Sequence, residues 1–301
     1  TIRESTLDSY RAMVKNQVKP FIGGKQIASL TTADMQKFYN KIKKEGRVRE
    51  HPIHGKTLAD SMVRGVHMML HEALDTAVKE RLIAKNPTNG TTVPKCNYPE
   101  KQILCDNQLE TFLEAIKGHE YWCDFFYVEV MTGLRRGEIC GLKWQDINFE
   151  ENKLQVKRSV SVKKGGGVST GETKTETGVR SILMPPSVAD VLQNRKQRAI
   201  TEWVFPNFMH PEQPISPATA YRKLKIILKH AGLPLIRFHD LRHTFATHAT
   251  HGGVDPKTLA GILGHTNASF TLDTYTHVTS DMQKAASNIV GNIMQNIMIK
   301  E

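Results

Sequence analysis

The sequence predicts a mainly α fold with a small antiparallel β-sheet, arranged as a helical front domain followed by a mixed α/β domain. Three observations carry this. Apolar residues recur at three- and four-residue spacing along most of the chain, whereas only two short stretches alternate. Between residues 86 and 99 the helical spacing stops, and Pro87, Pro94 and Pro99 crowd together with Gly90 in a stretch that cannot continue a helix. The chain's 301 residues are long for one domain but enough for two, each with its own core.

In the front domain, residues 1–85, a first helix is expected over about residues 6–18, stopping before Pro20. Thr31 can then cap a second helix with Asp34 in its first turn, and Leu30 is placed to staple against Met35. Met35, Phe38, Tyr39 and Ile42 mark one face of that helix, which ends in the basic run 41–44. After a polar loop, Leu58, Met62, Val66, Met69, Leu70, Ala73, Leu74, Ala77 and Val78 predict a long helix over 57–81. Residues 86–104 are expected to form an extended interdomain linker.

The second domain, 105–280, opens with helical patterns over 106–117 and 121–132. Alternating segments at 154–160 and 179–185 enclose a Gly/Ser/Thr-rich loop at 163–173, which predicts a small antiparallel sheet with Lys174 at a turn. Helices are expected again over 187–201, 217–231, 238–252, 255–263 and 270–275. In the last segment, 281–301, Met282, Ala286, Ile289, Val290, Ile293, Ile297 and Met298 lie on one helical stripe. So apolar a face has to be buried, on its own domain or on a neighbouring subunit.

Composition narrows the partners. The net charge of +11 and a pI near 9.4 favour a polyanion, because Lys and Arg release counterions when they contact phosphates. The excess leans forward: residues 1–100 hold 17 Lys and Arg against 10 Asp and Glu. No apolar run approaches the roughly 18 residues of a membrane span, and no amino-terminal signal segment is present, so a cytoplasmic protein is expected. Cys96, Cys105, Cys123 and Cys140 lack metal-ligand spacing and read as reduced thiols.

The residues that carry chemistry are individually ambiguous. Arg135 alone reads as a solvent-facing or structural residue, and Lys174 as a solvated turn lysine. His239 and Arg242, at i and i+3, share one helix face and can share one anion. Tyr275 alone reads as a half-buried helix-end aromatic. His239 and His243 have a metal-binding i, i+4 spacing, but Asp240 stands where a metalloprotease has its Glu, and Arg242 between them repels a cation. Gly165-Gly166-Gly167 is not followed by Lys-Ser/Thr, so no nucleotide cradle is indicated. No cofactor and no metal are expected.

In chain order the motifs say more than they do singly. Thr132-Gly133-Leu134-Arg135-Arg136-Gly137-Glu138, Lys174 in a sheet turn, His239-Asp240-Leu241-Arg242-His243-Thr244, Leu263-Gly264-His265 and Tyr275-Thr276-His277 together resemble the tyrosine recombinase (lambda-integrase-like) family. All six signature positions of that family match: Arg135, Lys174, His239, Arg242, His265 and Tyr275. The resemblance implies a catalytic domain over 105–280 and a helical core-type DNA-binding domain over 1–85. It also implies Tyr275 as a nucleophile forming a 3′-phosphotyrosine, Arg135 and Arg242 as clamps on the scissile phosphate, and His239 as proton acceptor or phosphate ligand. Lys174 would be the acid for the 5′-oxygen and His265 a phosphate donor, with Glu138 orienting Arg135. The partners it implies are double-stranded DNA at recombination sites, further copies of the chain in a tetramer with 281–301 docked on a neighbour, and DNA-bending accessory proteins.

The long loop, the Lys174-Thr175-Glu176-Thr177-Gly178-Val179-Arg180 run and the non-Met start look most like integrases of prophages or conjugative transposons, acting on a bacterial nucleoid. An arm-binding domain before Thr1 is expected on that likeness. Three other readings stay open: a Xer-type resolving recombinase, a type IB topoisomerase-like enzyme, and a non-catalytic architectural DNA-binding protein.

Overall fold

The computed structural model describes residue 2 and residues 4–96, 102–163, 165–172 and 179–264. The chain divides into two compact units, Thr1–Pro99 and Glu100–Glu301.

The first unit is helical. Helix α1 (Glu4–Met13) does not stop before Pro20: a π-helical turn at Val14–Val18 carries it into the short helix α2 (Lys19–Ile22), with Pro20 in its first turn. Proline has no N–H and its ring crowds the carbonyl four residues back, and a widened turn ahead of it lets the helical path continue. Helix α3 (Thr32–Glu45) starts at the expected cap, where Thr31 Oγ1 accepts the Asp34 N–H at 3.1 Å and Asp34 Oδ2 accepts the Thr31 N–H at 3.2 Å. Helix α4 (Asp60–Lys79) follows. Met35, Phe38, Tyr39 and Ile42 pack with Val63 and Val66 into the core of this unit, and Leu30 lies against it.

The start of the segment read from sequence as an extended interdomain linker is anchored to the first unit. Asn86 Nδ2 donates to Asp75 Oδ1 at 2.6 Å, and the Thr92 N–H donates to Gln36 Oε1 at 2.7 Å, which ties residues 86–92 to α3 and α4. Polar side chains satisfy backbone that proline-rich sequence leaves outside regular structure.

The second unit is built around an aromatic core. Helices α5 (Asp106–Lys117) and α6 (Glu120–Thr132) bring Phe112, Phe125 and Phe126 together. A one-and-a-half-turn helix, α7 (Arg136–Cys140), leads to strand β1 (Ile147–Asn148), which pairs with β2 (Lys153–Val156). The alternating run 154–160 is not one strand: it crosses at Lys157 from β2 into β3 (Arg158–Val162), which forms a separate hairpin with β4 (Val168–Glu172). Strand β4 occupies what sequence predicted as loop, because its Val-Ser-Thr-Gly-Glu composition carries almost no apolar alternation to betray it. Strand β5 (Arg180–Leu183) then pairs antiparallel with β2, with Leu154 opposite Ile182 on the buried face. Helices α8 (Pro186–Lys196), α9 (Pro217–His230), α10 (Phe238–His251) and α11 (Pro256–Leu263) complete the described part. Phe238 and Leu241 of α10 join the core of α6, which fixes the helix carrying His239 and Arg242. No helix among the described residues is long and apolar enough to cross a membrane.

Candidate active site

The site begins where α6 ends. Gly133 adopts a left-handed conformation (φ 61°) and its N–H bonds to Glu129 O at 2.9 Å, closing the helix. A Cβ there would stand 2.4 Å from Cδ1 of Phe245, so the turn needs both the left-handed freedom and the missing side chain of glycine. Two residues on, Arg135 is the N-cap of α7, and the chain turns back so that Glu138 reaches it. Glu138 Oε2 accepts the Arg135 N–H at 2.9 Å and Oε1 accepts Arg135 Nη1 at 2.7 Å. Helix α7 lies so close to β3 that a Cβ on Gly137 would be 2.3 Å from Ser159 Oγ and 2.6 Å from Val160 O.

Arg242 comes from the first turns of α10, a long way along the chain, and is 1% exposed. Its Nη1 donates to Gly133 O at 2.9 Å and its Nη2 to Leu263 O. Arg135 Nη2 donates to Gly264 O at 2.8 Å, and Arg180 Nε, from the start of β5, to Ile262 O at 2.6 Å. The last two carbonyls of α11 and that of its cap, Gly264, are thus each taken by a different guanidinium. A helix carboxy-terminus leaves such carbonyls without intrahelical partners and carries partial negative charge, which suits cations. His265, next in sequence, lies outside the described residues, as do Lys174 and Tyr275.

Electrostatics set the protonation states. Burial pushes the Glu138 carboxyl up, but hydrogen bonds and charge from Arg180, with the charge of Arg135, outweigh it and hold Glu138 below the usual carboxylate range. His239 is exposed at the start of α10 yet crowded by protein atoms. That desolvation, followed by the charges of Arg242 and Arg135, lowers its pKa to about 4, so the imidazole is neutral near pH 7 and able to accept a proton. The ring stands edge-on to His243, with centroids 4.8 Å apart. Behind the arginines, Glu129 is fully buried, and burial raises its carboxyl well above the ordinary value against the opposing pull of Arg242.

Of the sequence-predicted residues, the structure brings Arg135, His239 and Arg242 together with Glu138. Motif reading missed Arg180 as a site residue and missed Glu129. The second had a visible signal, since Glu129 interrupts the apolar sequence Phe125-Phe126-Tyr127-Val128 and Val130-Met131 of a helix that must be buried. Among the described residues no group of three or more His, Cys, Asp or Glu side chains could hold a metal ion. What the cluster can do is bind an anion: Arg135, 37% exposed, spends one N–H on Glu138 and one on Gly264, while its neighbours fix its position.

The chain is similar to known proteins over most of its length. The family described as "Phage integrase family" matches residues 102–282, and "Phage integrase, N-terminal SAM-like domain" matches residues 1–43. A "Tyrosine recombinase XerC-like" protein of Caldanaerobacter subterraneus is 30% identical over 298 residues, covering 89% of this chain and 72% of that protein. The Tn1549 transposon integrase in complex with a circular intermediate DNA matches with TM-score 0.80 and 25% identity over 96% of this chain and 95% of that one. A lambda integrase tetramer bound to a Holliday junction shares the fold, with TM-score 0.65 and 21% identity over 89% of this chain and 74% of that one.

Proposed function

Because this chain belongs to the phage integrase family of tyrosine recombinases, we propose that the arginine cluster at the end of α11 binds the scissile phosphate of a DNA recombination site. The protein is a site-specific recombinase of a mobile element that cuts and rejoins DNA strands through a 3′-phosphotyrosine and a Holliday junction. The observation that carries the site assignment is the convergence of Arg135 and Arg242, from distant helices, on Gly264 O and Leu263 O, immediately before His265.

In this mechanism the Tyr275 phenol oxygen attacks phosphorus and the P–O5′ bond breaks. His239, neutral near pH 7, takes the phenolic proton, and Lys174 gives a proton to the departing 5′-oxygen. Arg135 and Arg242 balance the charge that builds on the non-bridging oxygens, where each such donor is typically worth about 3 kcal/mol. His265 adds a further hydrogen bond to the same oxygens. The phosphotyrosine conserves the energy of the broken bond, so the 5′-hydroxyl of a second strand can reverse the attack without ATP.

In this reading residues 1–85 are the core-type DNA-binding domain, 86–104 the linker and 105–280 the catalytic domain. Four copies act together on DNA, as in the lambda integrase assembly, with 281–301 docked on a neighbouring subunit. The work is done in the bacterial cytoplasm at the nucleoid, with DNA-bending proteins as accessory partners.

The test is covalent trapping. The protein is incubated in EDTA with fragments of the DNA around its own gene and denatured with detergent, and the attached DNA is sequenced, with Tyr275→Phe as control. Adducts that need Tyr275 and map to a discrete inverted site are expected. Adducts scattered without site preference would favour topoisomerase-like behaviour, and tight DNA binding without adducts an architectural role.

A further inference from the structure

Arg180 is none of the six signature positions, yet its guanidinium joins two of the elements that build the site, α7 and α11. It is 6% exposed and makes a two-pronged bond to Glu138, Nη1 to Oε1 at 3.1 Å and Nη2 to Oε2 at 2.8 Å. Its Nε reaches Ile262 O at 2.6 Å. One side chain therefore links the start of β5, the carboxylate beside Arg135 and the end of α11.

The arrangement constrains Arg135 through the geometry of the shared carboxylate. A carboxylate has about four lone-pair directions. On Glu138 these are filled by Arg180 Nη1 and Arg135 Nη1 on Oε1, and by Arg180 Nη2 and the Arg135 backbone N–H on Oε2. Without Arg180, Arg135 and Glu138 would be free to form their own parallel fork, the preferred arrangement of such a pair. That would swing Arg135 onto Glu138 and spend its charge there. With Arg180 in place, Arg135 keeps one end-on bond to Glu138 and one to Gly264 O, and the Glu138 charge is matched mainly by Arg180.

Resting on the reading that Arg135 and Tyr275 act on a phosphodiester, we propose that Arg180 is a positioning residue that sets Arg135 for the scissile phosphate by occupying the Glu138 carboxylate and tying it to the end of α11. Arg180 itself does not touch DNA. Its contribution is the direction and charge of Arg135.

The test uses the full chain and the DNA recovered by trapping, with the variants Arg180→Lys and Arg180→Met. A lysine keeps the charge but cannot donate to both Glu138 oxygens and to Ile262 O at once. At saturating DNA the strand-cleavage rate of Arg180→Lys is expected to fall about 10–100-fold while half-saturation stays within about twofold, because positioning acts on the reacting geometry and not on DNA binding. The loss should shrink to within about threefold when the scissile phosphate is replaced by a neutral methylphosphonate, which no longer needs the Arg135 charge. A general structural defect would slow both DNAs equally. Absence of Tyr275-dependent cleavage by the unmodified protein would sink the site reading itself. With that cleavage present, three outcomes would each overturn the role of Arg180: both variants cleaving phosphate DNA at nearly the parental rate, equal losses on the two DNAs, or loss of cooperative melting in both variants.

Discussion

The two arginines of this site sit at different depths. Arg135 is half-open and offers hydrogen bonds, whereas Arg242 is buried and spends two of its own on backbone carbonyls. Arg242→Ala should therefore cost stability as well as cleavage: leaving the Gly133 and Leu263 carbonyls unpaired predicts a loss of about 2–5 kcal/mol in denaturant unfolding. His239 predicts a pH effect of known sign. Its pKa falls from 6.5 to about 4 on folding, so between those values the unfolded chain binds more protons. Stability should fall as pH drops from 6.5 to about 4 and His239→Gln should flatten that part of the curve, read from melting temperatures across the range. The acid limb of cleavage should lie correspondingly nearer pH 4 than 6.5. Glu129 runs the other way. Its raised pKa means the native state holds a proton that the unfolded chain releases above about 4.5, so the stability of Glu129→Gln relative to the parent should be constant below 4.5 and rise progressively as pH passes it. Urea midpoints compared on either side of that value decide it.

At the scale of elements, the tight approach of α7 to β3 is what holds Arg135 and Glu138 at the right depth. Gly137→Ala would put a methyl group against Val160 O and Ser159 Oγ, and a loss of about 1–3 kcal/mol in chemical denaturation is expected. Because α7 also carries Glu138 and starts from Arg135, the folded fraction of this variant should cleave slowly as well. The elements differ in how legible they were. The bounds of α5 follow from its periodicity alone, and the α3 cap from the Thr31/Asp34 spacing, since both are local signals. The path of the first helix through Pro20 and the strand β4 were not legible. A π-helical turn has no sequence signature, and β4 is held by pairing with β3 and not by its own apolar alternation.

For the whole molecule the net charge is +11, with the larger part of the excess, 17 Lys and Arg against 10 Asp and Glu, in the first hundred residues, and this suits a polyanion. Affinity for duplex without a recombination site should therefore fall about a thousandfold or more between 50 and 200 mM salt, the behaviour of a protein that meets several phosphates, while Tyr275→Phe binds as tightly as the parent. A flat salt dependence in a filter-binding titration would contradict that reading.

The helical class with its small sheet, the break between two units, and Arg135, His239 and Arg242 as candidates could all be read from the residues alone, because periodicity, proline and motif order are written along one chain. That three guanidiniums end on successive carbonyls at the end of α11 and its cap, that Arg180 is one of them, and that Glu129 lies buried behind them came from packing. Those facts join residues from opposite ends of the second unit. The burial and neighbouring charge that set their protonation exist only once those elements have packed.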